Sequence, residues 1–193
     1  WIGTATGLYL LDKETGKYQC ISMPIESFYI NALYQTPDSL LYIGTSNSGL
    51  LIYNHQRKSF EHFHKDNCPL ISNNIYTILP DGNKSVLLST ENSLTSYYPA
   101  GKIFHNWTKE QGLKSDHFNS TSGVLRKNGN FILGSTDGAI EFHKDMMIPR
   151  NYEFKMIFSD LRVFYQTVYP GDEGSPLEVD IDETQVLKRS EEH

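Results

Sequence analysis

The sequence predicts an all-β chain made largely of β-propeller blades, and three observations carry that prediction. First, a short pattern recurs four times, as Trp1-Ile2-Gly3-Thr4, Tyr42-Ile43-Gly44-Thr45, Leu87-Leu88-Ser89-Thr90 and Ile132-Leu133-Gly134-Ser135. Second, taken from Gly3, Gly44, Ser89 and Gly134, the intervals are 41, 45 and 45 residues, the length of a four-stranded blade. Third, the copies share their surroundings: an apolar run, a turn, the pattern, a hairpin turn, an aromatic-rich strand, a polar turn and a further strand.

Turn chemistry places the elements in order. The strand holding the pattern is entered through Thr36-Pro37-Asp38, Pro80-Asp81-Gly82-Asn83 or Lys127-Asn128-Gly129-Asn130. It leaves through a hairpin at Gly7, Gly49, Ser93 or Gly138, where a residue able to take φ > 0 is expected. The following strand turns at residues 12–17, 54–58 or 99–102 into an outer strand at 18–21, 60–63 or 103–107. Gly3 and Gly44 fall inside a strand, where a missing Cβ lets a neighbouring blade come close. A phosphate-loop reading of these glycines fails, because the residues behind them, Leu8-Tyr9-Leu10-Leu11 and Leu50-Leu51-Ile52-Tyr53, read as strand and not as the start of a helix. A second recurring element, residues 25–31, 71–76 and 114–119, superposes without gaps on Ser27, Ser72 and Ser115. In a propeller this link from one blade to the next ends near the central channel.

Composition removes several functions. The net charge is −6 with no Lys/Arg cluster, so nothing here neutralises a phosphate backbone, and nucleic acid is not an expected partner. No apolar run approaches the ~20 residues of a membrane-spanning helix. Cys20 and Cys68 lie far apart without metal-site spacing, and are expected as two unpaired thiols. His62 and His64 share a strand face but have no third ligand at a recognisable interval, so no metal and no cofactor is expected. No pair of carboxylates stands out as the acid and base of a glycosidase; Glu26 and Asp116 read as solvated loop charges. No catalytic residue is assigned. Trp1 falls inside a strand, and four copies are too few to close a propeller of complete blades, so the chain is expected to be a C-terminal part of a larger propeller.

The repeats resemble the two-component regulator propeller repeats in the periplasmic sensor region of hybrid two-component systems of gut Bacteroides-type bacteria. The resemblance rests on Pro69-Leu70-Ile71-Ser72-Asn73-Asn74-Ile75, Pro80-Asp81-Gly82, and Trp1-Ile2-Gly3-Thr4 with Gly7-Leu8, and covers residues 1 to about 148. The fourth copy, with Phe118-Asn119, Leu133-Gly134 and Asp137-Gly138-Ala139-Ile140, is similar to the closing blade of such propellers. After Pro149 the period breaks. Phe158 to Val168 alternates like one strand, a loop at residues 170–174 follows, and residues 183–187 form a short apolar tail. By the same resemblance, 149–193 is the truncated start of an Ig-like, tyrosine-marked β-sandwich. The implied function is a periplasmic sensor of oligosaccharides that relays a signal across the inner membrane to polysaccharide-utilisation genes. It implies a homodimer in the full receptor, membrane contact only through segments downstream, and kinase chemistry elsewhere.

On that reading the links bring Tyr29, Asn31, Asn73, Asn74, Tyr76, His117 and Asn119 to one mouth of the propeller. Amide, hydroxyl and aromatic groups suit sugar hydroxyls and ring faces. The alternative is that Asn73, Asn74 and Asn119 shape the turns while Tyr29 and Tyr76 pack between blades. Two other classes also remain open: a glycan-cleaving or lyase propeller, and a structural or protein-interaction propeller.

Overall fold

The computed structural model describes residues 1–26, 29–82, 85–147, 159–181 and 183. Ser27, Phe28, Asn83, Lys84, the 149–158 junction and the tail from Thr184 lie outside the described residues. The chain divides into two units, Trp1–Pro149 and Arg150–His193.

The first unit is a series of antiparallel sheets whose strands follow one another in chain order. The first sheet is β1 (Ile2–Gly3), β2 (Leu8–Leu11) and β3 (Tyr18–Ile21). The second is β4 (Tyr29–Gln35), β5 (Leu40–Ser46), β6 (Leu50–Asn54) and β7 (Ser59–Phe63). The third is β8 (Ile75–Pro80), β9 (Val86–Thr90), β10 (Leu94–Tyr98) and β11 (Ile103–Trp107), and the fourth is β12 (Phe118–Leu125), β13 (Asn130–Ser135) and β14 (Gly138–His143). The repeated pattern lies on β5, β9 and β13, each the second strand of its sheet, and on β1, the first strand of its three-stranded sheet. The innermost strands β4, β8 and β12 lie against one another in turn, as they do around a propeller axis.

Three apolar cores occupy the three seams between successive sheets, and strand alternation assigns each side chain to its seam. Along β5, Leu41 and Ile43 face the first sheet while Tyr42 faces the third. Along β6, Leu51 and Tyr53 face back and Leu50 and Ile52 face forward. Both faces of a central blade are therefore buried, which is why these strands read as continuous apolar runs.

Two devices repeat at the seams. A Cβ on Gly44 would sit 2.7 Å from Cγ2 of Ile75 on the next inner strand, and one on Gly3 would overlap Ile30, the equivalent residue one blade earlier. The glycine thus admits the neighbour's isoleucine, as expected. Beside it runs an aromatic ladder: Trp1 meets Tyr53 edge-on at 5.7 Å, and Tyr53 lies 4.5 Å from Phe60. One blade on, Tyr42 meets Tyr97 at 6.2 Å and Tyr97 lies 4.5 Å from Phe104. Burial pushes the Tyr42 phenol up to about 12, with Asp38 adding to it, and pushes the Tyr97 phenol up as well.

The hairpins correct one expectation. Gly49 has φ +75° and Gly138 φ +119°, but Gly7 is not in the left-handed region. Thr4 N–H donates to the Gly7 carbonyl and Thr90 N–H to that of Ser93, three residues on, whereas Thr45 N–H donates to Gly49, four residues on. The turns at Gly7 and Ser93 place no residue with φ > 0 there, so serine is accommodated at 93, whereas Gly138, equally three residues beyond its partner Ser135, does take φ > 0.

The second unit shows β15 (Leu161–Val163) paired antiparallel with β16 (Gln166–Val168). The stretch expected as one strand is a hairpin, turned at Phe164 and Tyr165 with φ 49° and 69°. Alternation runs on unbroken through a two-residue turn, so the pattern hides it, and neither residue is a usual type I′ turn former.

Candidate functional site

The candidate residues gather where the inner strands begin. At that end each inner strand carries an irregularity: pairing shifts between Ile30 and Ala32 in β4, between Ile75 and Thr77 in β8, and between Phe118 and Gly123 in β12. Asn31, Tyr76 and Asn119 fall in these bulges, at one position of the repeat. A bulge re-aims its extra residue out of the ladder.

Hydrogen bonds show what several of these side chains hold. Asn31 Nδ2 donates to Ser46 Oγ at 3.0 Å and to the Ile75 carbonyl at 3.0 Å, tying the second blade to the third. Asn74 Oδ1 accepts from Asn47 N–H at 2.8 Å while its Nδ2 donates to Glu91 Oε2 at 2.9 Å, so it spans the hairpins of both blades. Asn73 Oδ1 accepts from Lys65 N–H at 2.8 Å, and its carbonyl accepts from Gly49 N–H at 2.8 Å. Asn119 Nδ2 donates to the Ser135 carbonyl at 3.2 Å. All four asparagines thus have a scaffold role. Tyr76 is half-buried against the third core, and burial, with Glu91 second, pushes its phenol up.

Tyr29 and His117 are the open members. Tyr29 is 63% exposed at the start of β4, opposite Ser46. His117 is exposed, its Nε2 3.8 Å from Asp116 Oδ1, and its carbonyl accepts from Thr136 N–H. Partial burial raises the Asp116 carboxyl, but Lys109, whose Nζ is 3.2 Å away, outweighs it and leaves the carboxyl below the usual range. Sequence reasoning missed Ser46, Asn47 and Glu91 at this end. Ser46 and Glu91 both lie two residues beyond the register position, and that offset was the available signal.

Elsewhere the reactive side chains stay dispersed. The His62 and His64 rings are 4.8 Å apart, and His62 Nε2 lies 2.6 Å from the Ser48 carbonyl. Among the described residues no three His, Cys, Asp or Glu side chains are arranged to hold a metal ion. Cys20 is exposed and Cys68 half-buried, both free, and burial raises the Cys68 thiol. No described helix is long and apolar enough to cross a membrane.

Stacked antiparallel blades define the first unit as a β-propeller segment, and the solved structures similar to the chain include extracellular domains of putative hybrid two-component systems. The extracellular domain of the putative hybrid two-component system BT3049 from B. thetaiotaomicron matches with a TM-score of 0.63 at 19% identity, over 83% of this chain and 24% of that one. That of BT4673 from the same organism matches with a TM-score of 0.60 at 21% identity, over 72% of this chain and 19% of that one. In sequence, the chain is 24% identical over 202 residues to histidine kinase P4 of Formosa agariphila. The match takes in 97% of the chain but only 14% of that kinase's length. No family model matches the chain.

Proposed function

We propose that this chain is part of the extracytoplasmic ligand-sensing region of a hybrid two-component histidine kinase. It detects an oligosaccharide in the periplasm and passes the signal across the inner membrane to genes of polysaccharide use. The observation that carries the reading is the match of nearly the whole chain to a histidine kinase, on a fold shared with extracellular domains of two-component systems. The mouth supports the ligand class. Tyr29 offers an exposed ring face, His117 a ring nitrogen, and Asn31, Asn73, Asn74, Tyr76 and Asn119 line the same end with amides and a phenol.

Propeller blades are stiff, so the signal leaves as a change in how they are presented to the next unit, biasing a homodimer between two arrangements. The test is calorimetric titration of the chain with a panel of plant and host oligosaccharides, with product analysis of each mixture. Saturable binding without cleavage, weakened several-fold by Tyr29→Ala, is expected. Cleavage would replace the sensor with an enzyme, and absence of binding to every member would remove the oligosaccharide.

A further inference from the structure

His62 of β7 and His64, one strand period further on, present two half-buried imidazoles with ring centres 4.8 Å apart. The link that follows holds their backbone. Asn67 Oδ1 accepts from His64 N–H at 2.9 Å, and its Nδ2 donates to the His62 carbonyl at 2.9 Å. The pair is no part of the blade repeat, because strand pairing puts Cys20 and Ser22 at these places in the first blade and Asn106 and Thr108 in the third.

Each ring has one nitrogen engaged and one free. A carbonyl only accepts, so the 2.6 Å contact between His62 Nε2 and the Ser48 carbonyl puts the proton on Nε2 and leaves the Nδ1 lone pair bare. Asp66 Oδ2, 3.4 Å from His64 Nδ1, holds the proton on that nitrogen and leaves Nε2 bare. Neither bare nitrogen has a partner among the described residues. An imidazole whose far nitrogen donates to a carbonyl or a carboxylate is oriented as metal-bound histidines are. The spacing agrees. Two imidazoles bound to one ion at about 2.0–2.1 Å, with an angle of about 90–110° between them, set their ring centres roughly 4.5–5.2 Å apart.

We propose that His62 and His64 form a chelating site for a borderline divalent transition ion of the zinc, nickel or copper type, bound through His62 Nδ1 and His64 Nε2. Imidazole nitrogen selects these ions over magnesium and calcium, which take oxygen. No third His, Cys, Asp or Glu among the described residues completes the set, so water fills the remaining positions. Asp66 supports His64 from behind and does not bind the ion, and Cys68 Sγ is turned to the His64 carbonyl at 3.3 Å. The site shares no residue with the mouth.

The test is titration of the isotope-labelled chain with zinc chloride, read on the imidazole nitrogens by nuclear magnetic resonance, with magnesium chloride as the control. Zinc is expected to move His62 Nδ1 and His64 Nε2 saturably and to leave the rings of His55, His105, His117 and His143 in place, and magnesium to move none. Removing outer support from a metal-bound histidine typically costs about 10–100-fold in affinity, and removing a ligand at least as much. His62→Gln and His64→Gln are therefore each expected to weaken zinc binding by about tenfold or more, and Asp66→Asn, whose carboxylate is exposed, by less. Should a variant lose its fold, the spectrum of the parent chain carries the test alone. No saturable movement of these two nitrogens at millimolar zinc, or zinc affinity unaltered in both histidine variants, would overturn the site. The oligosaccharide titration is run with a chelator present, so either proposal can fail without the other.

Discussion

The seam between the second and third blades and the seam between the third and fourth solve the same packing problem differently. At the earlier one, Gly44 receives Ile75 and the Tyr42, Tyr97 and Phe104 rings stack beside it. At the later one the register residue is Ser89, the ladder position is Leu87, and the inner strand brings Phe118 where the others bring isoleucine. The close approach has moved to Gly123 of β12, where a Cβ would lie 2.6 Å from Leu133 Cδ2 and 2.9 Å from Thr77 Cγ2. The later seam also buries Thr77 Oγ1, Ser89 Oγ and Ser115 Oγ without a hydrogen bond. A blade repeat therefore conserves the spacing of its sheets while the residue that permits contact can change strand.

Substitutions at the two seams can break or sharpen this contrast. The largest effect is expected from Tyr97→Ala, which removes the middle of the earlier ladder and costs about 3–5 kcal/mol in chemical denaturation, as for other large aromatic truncations. Gly44→Ala and Gly123→Ala are each expected to cost about 1–3 kcal/mol by overpacking, whereas the same methyl at Gly16, which has open space, adds only its backbone strain. Asn31→Ala loses the bonds to Ser46 and Ile75 and costs about 1 kcal/mol, read in the same way. The smallest change has the opposite sign: Ser89→Ala deletes a buried hydroxyl that has no partner and raises stability by up to about 1 kcal/mol. A loss there would mean that the hydroxyl is satisfied and that the later seam is as well matched as the earlier.

The earlier seam was legible from the chain because glycine within a strand, followed by a tight hairpin, has few other uses. The later seam was not, since a serine in the register and a glycine placed eight residues beyond Ser115 carry no repeat signal of their own. Gly134 illustrates the limit. Its spacing marks the fourth blade, yet the side chain that fills the space over it is Ser122 of its own sheet. The mouth was legible as a place, because the links align on Ser72 and Ser115, but the bulges that set Asn31 and Tyr76 out of the ladder are single extra residues that no spacing reveals. The hairpin at Phe164 and Tyr165 stayed hidden because its turn has neither Gly nor Asn.

The claim beneath the whole account is that these sheets stack as wedges, with the isoleucine of one filling the glycine notch of the last. A double-mutant cycle on Gly44→Ala and Ile75→Ala tests it directly by chemical denaturation. If the notch is real, the alanine methyl occupies part of the space that Ile75 vacates. The double variant is then more stable than the sum of the two losses predicts by about 1 kcal/mol or more. Strict additivity would place the two residues in separate environments and contradict the stacking.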